Sequence, residues 1–332
     1  MLLVVEIALQ VRAQIKTGQS VYTLMTGQGA RAIDPVTGLR LLRPQAVIKG
    51  SGMELATNSW GLRNREVAPT PKPGDTRLAL MGASSIQGTH APTNDDTAAS
   101  VLERQLQAQQ RRIEVVNAGV ADLTVPEQLT MLTKRLIPAG VHLVYWYPGA
   151  NDITCRRPQK NAAQWRIAVP GLPQWLLTQS LIVKNASFLK SKTAASDASN
   201  GTPTLNAELL ERILGDGIRA AQAAGVDMRL VTIATRYAPS QTPQERESYA
   251  ASALHFRPCF NADQMIAHVQ KMNSIIREQA RLHGVPVVEA APAMTGEAGL
   301  FGDASHFSVP GEKRFAELLL ADFQAHPMVA EH

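Results

Sequence analysis

A pair of serines, Ser84 and Ser85, follows the apolar run "LALMG", and the motif "DASH" places Asp303 three residues before His306 near the other end of the chain. These are the residue types of acyl transfer. A serine hydroxyl is a poor nucleophile until an imidazole takes its proton, and a carboxylate fixes that imidazole's tautomer. The tetrahedral oxyanion formed by attack needs preorganised donors, each worth roughly 3 kcal/mol, commonly backbone N–H groups and an Asn amide. Gly119 in "NAG" and Asn151 in "GAND" are candidates for that task, together with the N–H of Ser84. Ser84 is the expected nucleophile, with His306 as base and Asp303 as its orienting carboxylate. Ser85 reads as structural beside the nucleophile, and both it and His90 lie close enough along the chain to line a substrate pocket. Helix capping is the other common use of a serine pair after a strand.

Each of these positions follows a segment that reads as a strand. Continuous apolar runs at 76–82, 113–119, 142–149, 226–235 and 285–291 alternate with helical patterns at 94–110, 126–140, 206–225, 261–284 and 310–325. Asn94 or Asp95 is placed to cap the first helix, and Pro126 suits the first turn of the second. Strands alternating with helices of this length make right-handed βαβ units, a parallel sheet and helices on both faces. The expected fold is a three-layer α/β/α sandwich with a five-stranded parallel sheet in flavodoxin-like order. Ligands in such sheets bind outside the carboxyl ends of the strands, which is where the serine, glycine, asparagine and histidine fall. Residues 1–75 read as an apolar N-terminal segment and a Gly/Pro-rich stem, and 76–326 as the main domain. Insertions at 156–205 and 238–261 interrupt it. The first carries Trp165 and Trp175 and sits where a substrate lid would be expected.

The order of these blocks resembles the SGNH (GDSL-like) hydrolase superfamily. "GASSIQG" is similar to its first block, with Ser84 at the nucleophile position, and "NAGVAD" to its second, with Gly119 as oxyanion donor. "GAND" gives Asn151 for the third and "DASH" gives Asp303 and His306 for the fifth. The family's Asp before the serine is Ala83 here, a departure outside the triad. Residues 57–67, "TNSWGLRNREV", resemble the lead-in of envelope-associated members. The resemblance implies an ester hydrolase working through an acyl-enzyme, without cofactor or metal, removing short acyl groups from a carbohydrate or envelope polymer. An O-acyltransferase using the same residues, or a non-catalytic glycan-binding module, are the alternatives.

Composition narrows the partners. Lys and Arg number 33 against 28 Asp and Glu, a net charge of +5, and the basic residues cluster only in pairs. That excludes a nucleic-acid stripe and leaves mild attraction to an anionic polymer or membrane face. The N-terminus is apolar for about nine residues, interrupted by Glu6, short of the roughly 20 that span a bilayer. It reads as a surface helix or the remnant of an anchor. Cys155 and Cys259 form no metal-ligand pattern: they are a disulfide if the chain is exported, and two thiols if it is not. The envelope is the expected location, with the cytoplasm as alternative. The oligomeric state is left open.

Overall fold

The structure is a computed structural model and describes residues 6–11, 30–50, 52–109, 111–156 and 201–328. Five strands form its central sheet: β1 (Thr76–Gly82), β2 (Ile113–Gly119), β3 (Leu143–Tyr147), β4 (Asp227–Val231) and β5 (Val287–Val288). All pair in parallel, in the order β5-β4-β3-β1-β2. The chain therefore winds outward from β1 in both directions, and the reversal lies between β1 and β3. β1 and β3 are buried along nearly their whole length, which is why their sequences are unbroken apolar runs rather than alternating ones.

The helices around the sheet include α1 (Ser84–Gln87), α2 (Ala98–Ala108), α3 (Val125–Met131), α4 (Ala207–Ala223), α5 (Pro243–Phe256), α6 (Ala262–His283) and α7 (Val309–Ala325). α2 packs with α7 in one layer, and α3, α4 and α6 pack together in the other, as right-handed crossovers require. Their starts are written in the sequence. Side chains of Asn206, Asn261 and Ser308 cap α4, α6 and α7, and a Thr124–Glu127 capping box opens α3.

Several boundaries differ from those read in the sequence. α2 is capped by Thr97, not by Asn94 or Asp95. The Asn94 carboxamide oxygen instead accepts from the Ala56 N–H at 3.1 Å and from Arg63 Nε at 3.1 Å, so a tertiary demand takes the residue that local propensity assigns to the cap. The run 285–291 yields only a two-residue edge strand, because the chain turns into a short helix at Ala290–Met294. The stem contains two small antiparallel ribbons, Arg31–Ile33 with Arg40–Leu42 and Val47–Gly50 with Met53–Ala56. Strands of three or four residues are too short to show a period. Trp165, Trp175 and most of the first insertion lie outside the described residues. Among the described residues, no helix is long and apolar enough to cross a membrane.

Candidate active site

Register decides what meets at the rim. Gly82 at the end of β1 is paired with Gly119 on one side and Tyr147 on the other, so β1, β2 and β3 end level with one another. The segments that leave them emerge side by side, across the reversal of strand order where ligands bind in such sheets. Close approach explains both glycines. A Cβ at Gly119 would collide with the backbone of Ile86 and Gln87, and one at Gly82 with the Tyr147 carbonyl. Helix α1 can therefore lie directly on the end of the sheet and present Ser84 from its first turn.

Asp303 and His306 come from the loop before α7. Ser84 Oγ lies 2.7 Å from His306 Nε2, and His306 Nδ1 lies 2.7 Å from Asp303 Oδ2. The other carboxylate oxygen, Oδ1, accepts the N–H groups of Ser305 and His306 at 3.0 Å each, so the loop's own backbone fixes the carboxylate. Burial opposes the charge on Asp303, but the hydrogen bond and charge of His306 and these two N–H groups outweigh it. The carboxyl is held well below the usual carboxylate range. An ionised acceptor at Nδ1 keeps the proton on that nitrogen and leaves Nε2 free to accept from Ser84.

The remaining candidates divide. Asn151 Nδ2 donates to the Leu123 carbonyl at 3.0 Å, which holds the amide at the loop after β2 and leaves its second hydrogen uncommitted by that bond. The N–H of Ser84 meets no acceptor among the described residues. The N–H of Gly119, by contrast, is donated to Asn117 Oδ1 at 3.0 Å. Its glycine is required by packing, and its N–H is already taken. Ser85 is also not a pocket residue: it is buried, and its hydroxyl donates to the Ser305 carbonyl at 3.1 Å. It ties the nucleophile's helix to the loop that carries the histidine. His90 stands at the rim, its Nε2 3.1 Å from the same Asp303 Oδ2 that His306 uses.

Sequence reading passed over most of the residues that brace this rim. Gln128, buried in α3, donates to the carbonyls of Leu123 at 3.2 Å and Pro148 at 2.8 Å. Arg257 Nε and Nη2 donate to the carbonyls of Ile153 at 2.6 Å and Ala150 at 2.8 Å, on either side of Asn151. Ser252 Oγ accepts from the Ala304 N–H at 3.0 Å. Asp152 accepts from the Val125 N–H at 3.0 Å, and burial raises its carboxyl to about 6. Asp152 thus braces the loop. Cys155 and Cys259 are joined by a disulfide, so the second insertion is bonded covalently beside the Asn151 loop. Behind the serine, Arg63 is buried and donates to the carbonyls of Gly88 and Ala91. No spacing in the sequence marks these partners, since most link segments tens to hundreds of residues apart.

The sequence model of the GDSL-like lipase/acylhydrolase family matches residues 80–314, more than two thirds of the chain and all of the segments that meet at the rim. Among solved structures, a lipase/acylhydrolase from Enterococcus faecalis is 16% identical, with 77% of this chain and 100% of that one covered and a TM-score of 0.48. An acetylxylan esterase from Geobacillus stearothermophilus is 17% identical over 79% of this chain and 100% of that one, with a TM-score of 0.48. No curated protein sequence matches the chain. With its five-stranded parallel sheet and the matched segment containing serine, asparagine, aspartate and histidine in order, the chain belongs to the GDSL-like lipase/acylhydrolase family and is an ester hydrolase.

Proposed function

We propose that the protein is a serine esterase that works through an acyl-enzyme on short acyl esters, chiefly O-acetyl groups of a carbohydrate or envelope polymer. One observation carries the mechanism: the unbroken hydrogen-bonded chain from Ser84 Oγ through both ring nitrogens of His306 to Asp303. His306 removes the hydroxyl proton as Ser84 attacks the ester carbonyl, and then returns it to the leaving alcohol. Asp303 holds the ring and stabilises the imidazolium between those steps. The Ser84 N–H and the Asn151 amide are the oxyanion donors in this reading, and Gly119 shapes the site rather than donating. Water released onto the acyl-enzyme is deprotonated by the same imidazole and frees the acid.

The polymer part of the reading is supported by other features. The side chains of Asp303 and His306 are 25% and 24% exposed, an open rim suited to one unit of a long chain rather than to a fully enclosed small ester. The Cys155–Cys259 disulfide fits an oxidising compartment outside the cytoplasm. Labelling with a fluorophosphonate tests the nucleophile: a single adduct on Ser84, absent in Ser84→Ala, is expected, and an adduct elsewhere or none overturns it. Release of acetate from acetylated saccharides, set against p-nitrophenyl esters of increasing chain length, tests the substrate class. Faster turnover of long acyl chains than of acetyl groups would refute the short-acyl assignment.

A further inference from the structure

Three donor atoms converge on the exposed side of the proposed triad. His90 Nε2 and His306 Nδ1 lie 3.1 Å and 2.7 Å from one carboxylate oxygen of Asp303. One ligand atom from each of these residues falls within 4.8 Å of the others. The ligands of a tetrahedral zinc ion, bound at about 2.0–2.1 Å, stand roughly 3.3 Å apart. The His90 nitrogen therefore needs to move out from that oxygen by about 0.2 Å and the His306 nitrogen by about 0.6 Å, while the two nitrogens, within 4.8 Å of each other, draw together to admit the ion. We propose that His90, Asp303 and His306 form a divalent-cation site, and that Zn²⁺ bound there arrests the hydrolase.

The donor set selects the ion. Two imidazoles and one carboxylate suit zinc, whereas calcium and magnesium require oxygen shells. Access is open, since the side chain of His90 is 38% exposed and those of Asp303 and His306 about a quarter exposed, and water completes the coordination. His90 is held in place from below: a Cβ at Gly302 would overlap its ring, so a glycine at that position is what allows the imidazole to approach the carboxylate. None of this is visible as spacing, because His90 and Asp303 stand 213 residues apart.

Arrest follows from proton placement and rests on the Ser84–His306 reading above. Without metal, the His306 proton sits on Nδ1 and faces Asp303, leaving Nε2 to accept from Ser84. Zinc at Nδ1 uses that lone pair, so the single proton of the neutral ring resides on Nε2. There it donates to Ser84 Oγ and cannot take the hydroxyl proton. No net proton is gained or lost.

Titration of the full chain with ZnCl₂ after treatment with EDTA and desalting, followed by calorimetry in a non-chelating buffer, measures binding independently of catalysis. One ion per chain is expected, with hydrolysis of p-nitrophenyl acetate falling at the same midpoint and recovering on addition of EDTA. His90→Ala and Gly302→Ala should each weaken binding and inhibition by more than about 10-fold, since loss of even an outer partner costs metal sites roughly 10–100-fold. Inhibition is read against each variant's own zinc-free rate, and Ser84→Ala should bind zinc undiminished. Equal binding and inhibition in wild type and His90→Ala, or no stoichiometric heat in the wild type, would overturn the site. Stoichiometric binding without hydrolysis and without a fluorophosphonate adduct would uphold the metal site while removing the mechanism it is proposed to block.

Discussion

His306 stands between a hydroxyl and a carboxylate at 2.7 Å on each side, and the value of that arrangement lies in which nitrogen carries the proton. Asp303→Asn preserves the shape but lets the side chain donate to Nδ1, which places the ring proton on the wrong nitrogen. A loss of about 10⁴-fold in kcat is expected, with KM little changed, measured on p-nitrophenyl acetate. A fall of only a few-fold would show that Asp303 does not set the tautomer. Ser84→Ala should remove about 10⁶-fold, and adding Asp303→Asn to it should cost almost nothing more, because residues acting as a unit are not additive. That Ser84, Asp303 and His306 would meet at one rim was legible in the sequence, because each lies in a short block beside a strand end or the last helix. The partner of Ser85 and the fate of the Gly119 N–H were not, since both depend on what packs against them: the Ser305 carbonyl for one, and Asn117 and α1 for the other.

At the scale of elements, the rim is held by contacts between helices and loops remote in sequence. Gly119→Ala would drive a methyl group into the backbone of α1, with an overpacking cost of about 1–3 kcal/mol. Both the melting temperature and kcat should fall, because displacing α1 moves Ser84. An unchanged melting temperature would show that the strand end and α1 are not tightly fitted. Glu312, fully buried in the first turn of α7, accepts the Ala98 N–H of α2 at 2.8 Å, which locks together the two helices behind the serine. Burial, only partly offset by that N–H and by Arg63, raises its carboxyl from 4.5 to about 8. Between those values the folded protein keeps a proton that the unfolded chain has released, so stability must fall as pH rises from 4.5 toward 8. Urea unfolding at pH 5 and pH 8 should show that loss in the wild type and a smaller one in Glu312→Gln. The same pH dependence in both would exclude Glu312 as its source. Helix starts such as Asn206, Asn261 and Ser308 could be read directly from the sequence, because capping is local. Asn94 could not, because Ala56 and Arg63 claim it from another segment.

For the molecule as a whole, the Cys155–Cys259 bond closes a loop across 104 residues and fastens the second insertion to the chain beyond β3. Chain entropy assigns a closure of that length about 4–5 kcal/mol. The double variant Cys155→Ser/Cys259→Ser should therefore melt roughly 10 °C or more below the wild type by calorimetry. Because Arg257 and Ser252 brace the Asn151 and Asp303 loops from that same insertion, kcat should decline along with stability. Activity unchanged despite a lower melting temperature would mean that the insertion stabilises the domain without holding the rim.

The sequence by itself determined the layered α/β architecture, the direction of its strands and the residue types carried to one edge of the sheet. Apolar period, capping and short blocks are local properties, and a chain displays them before it folds. Tertiary structure alone decided that Ser85 faces a carbonyl, that the Gly119 N–H is taken, that two cysteines pair, and that a second imidazole shares the carboxylate of Asp303. Each of these is a pairing between atoms far apart along the chain, and only the packing of α1, the histidine loop and the insertion onto the sheet sets the distance between them.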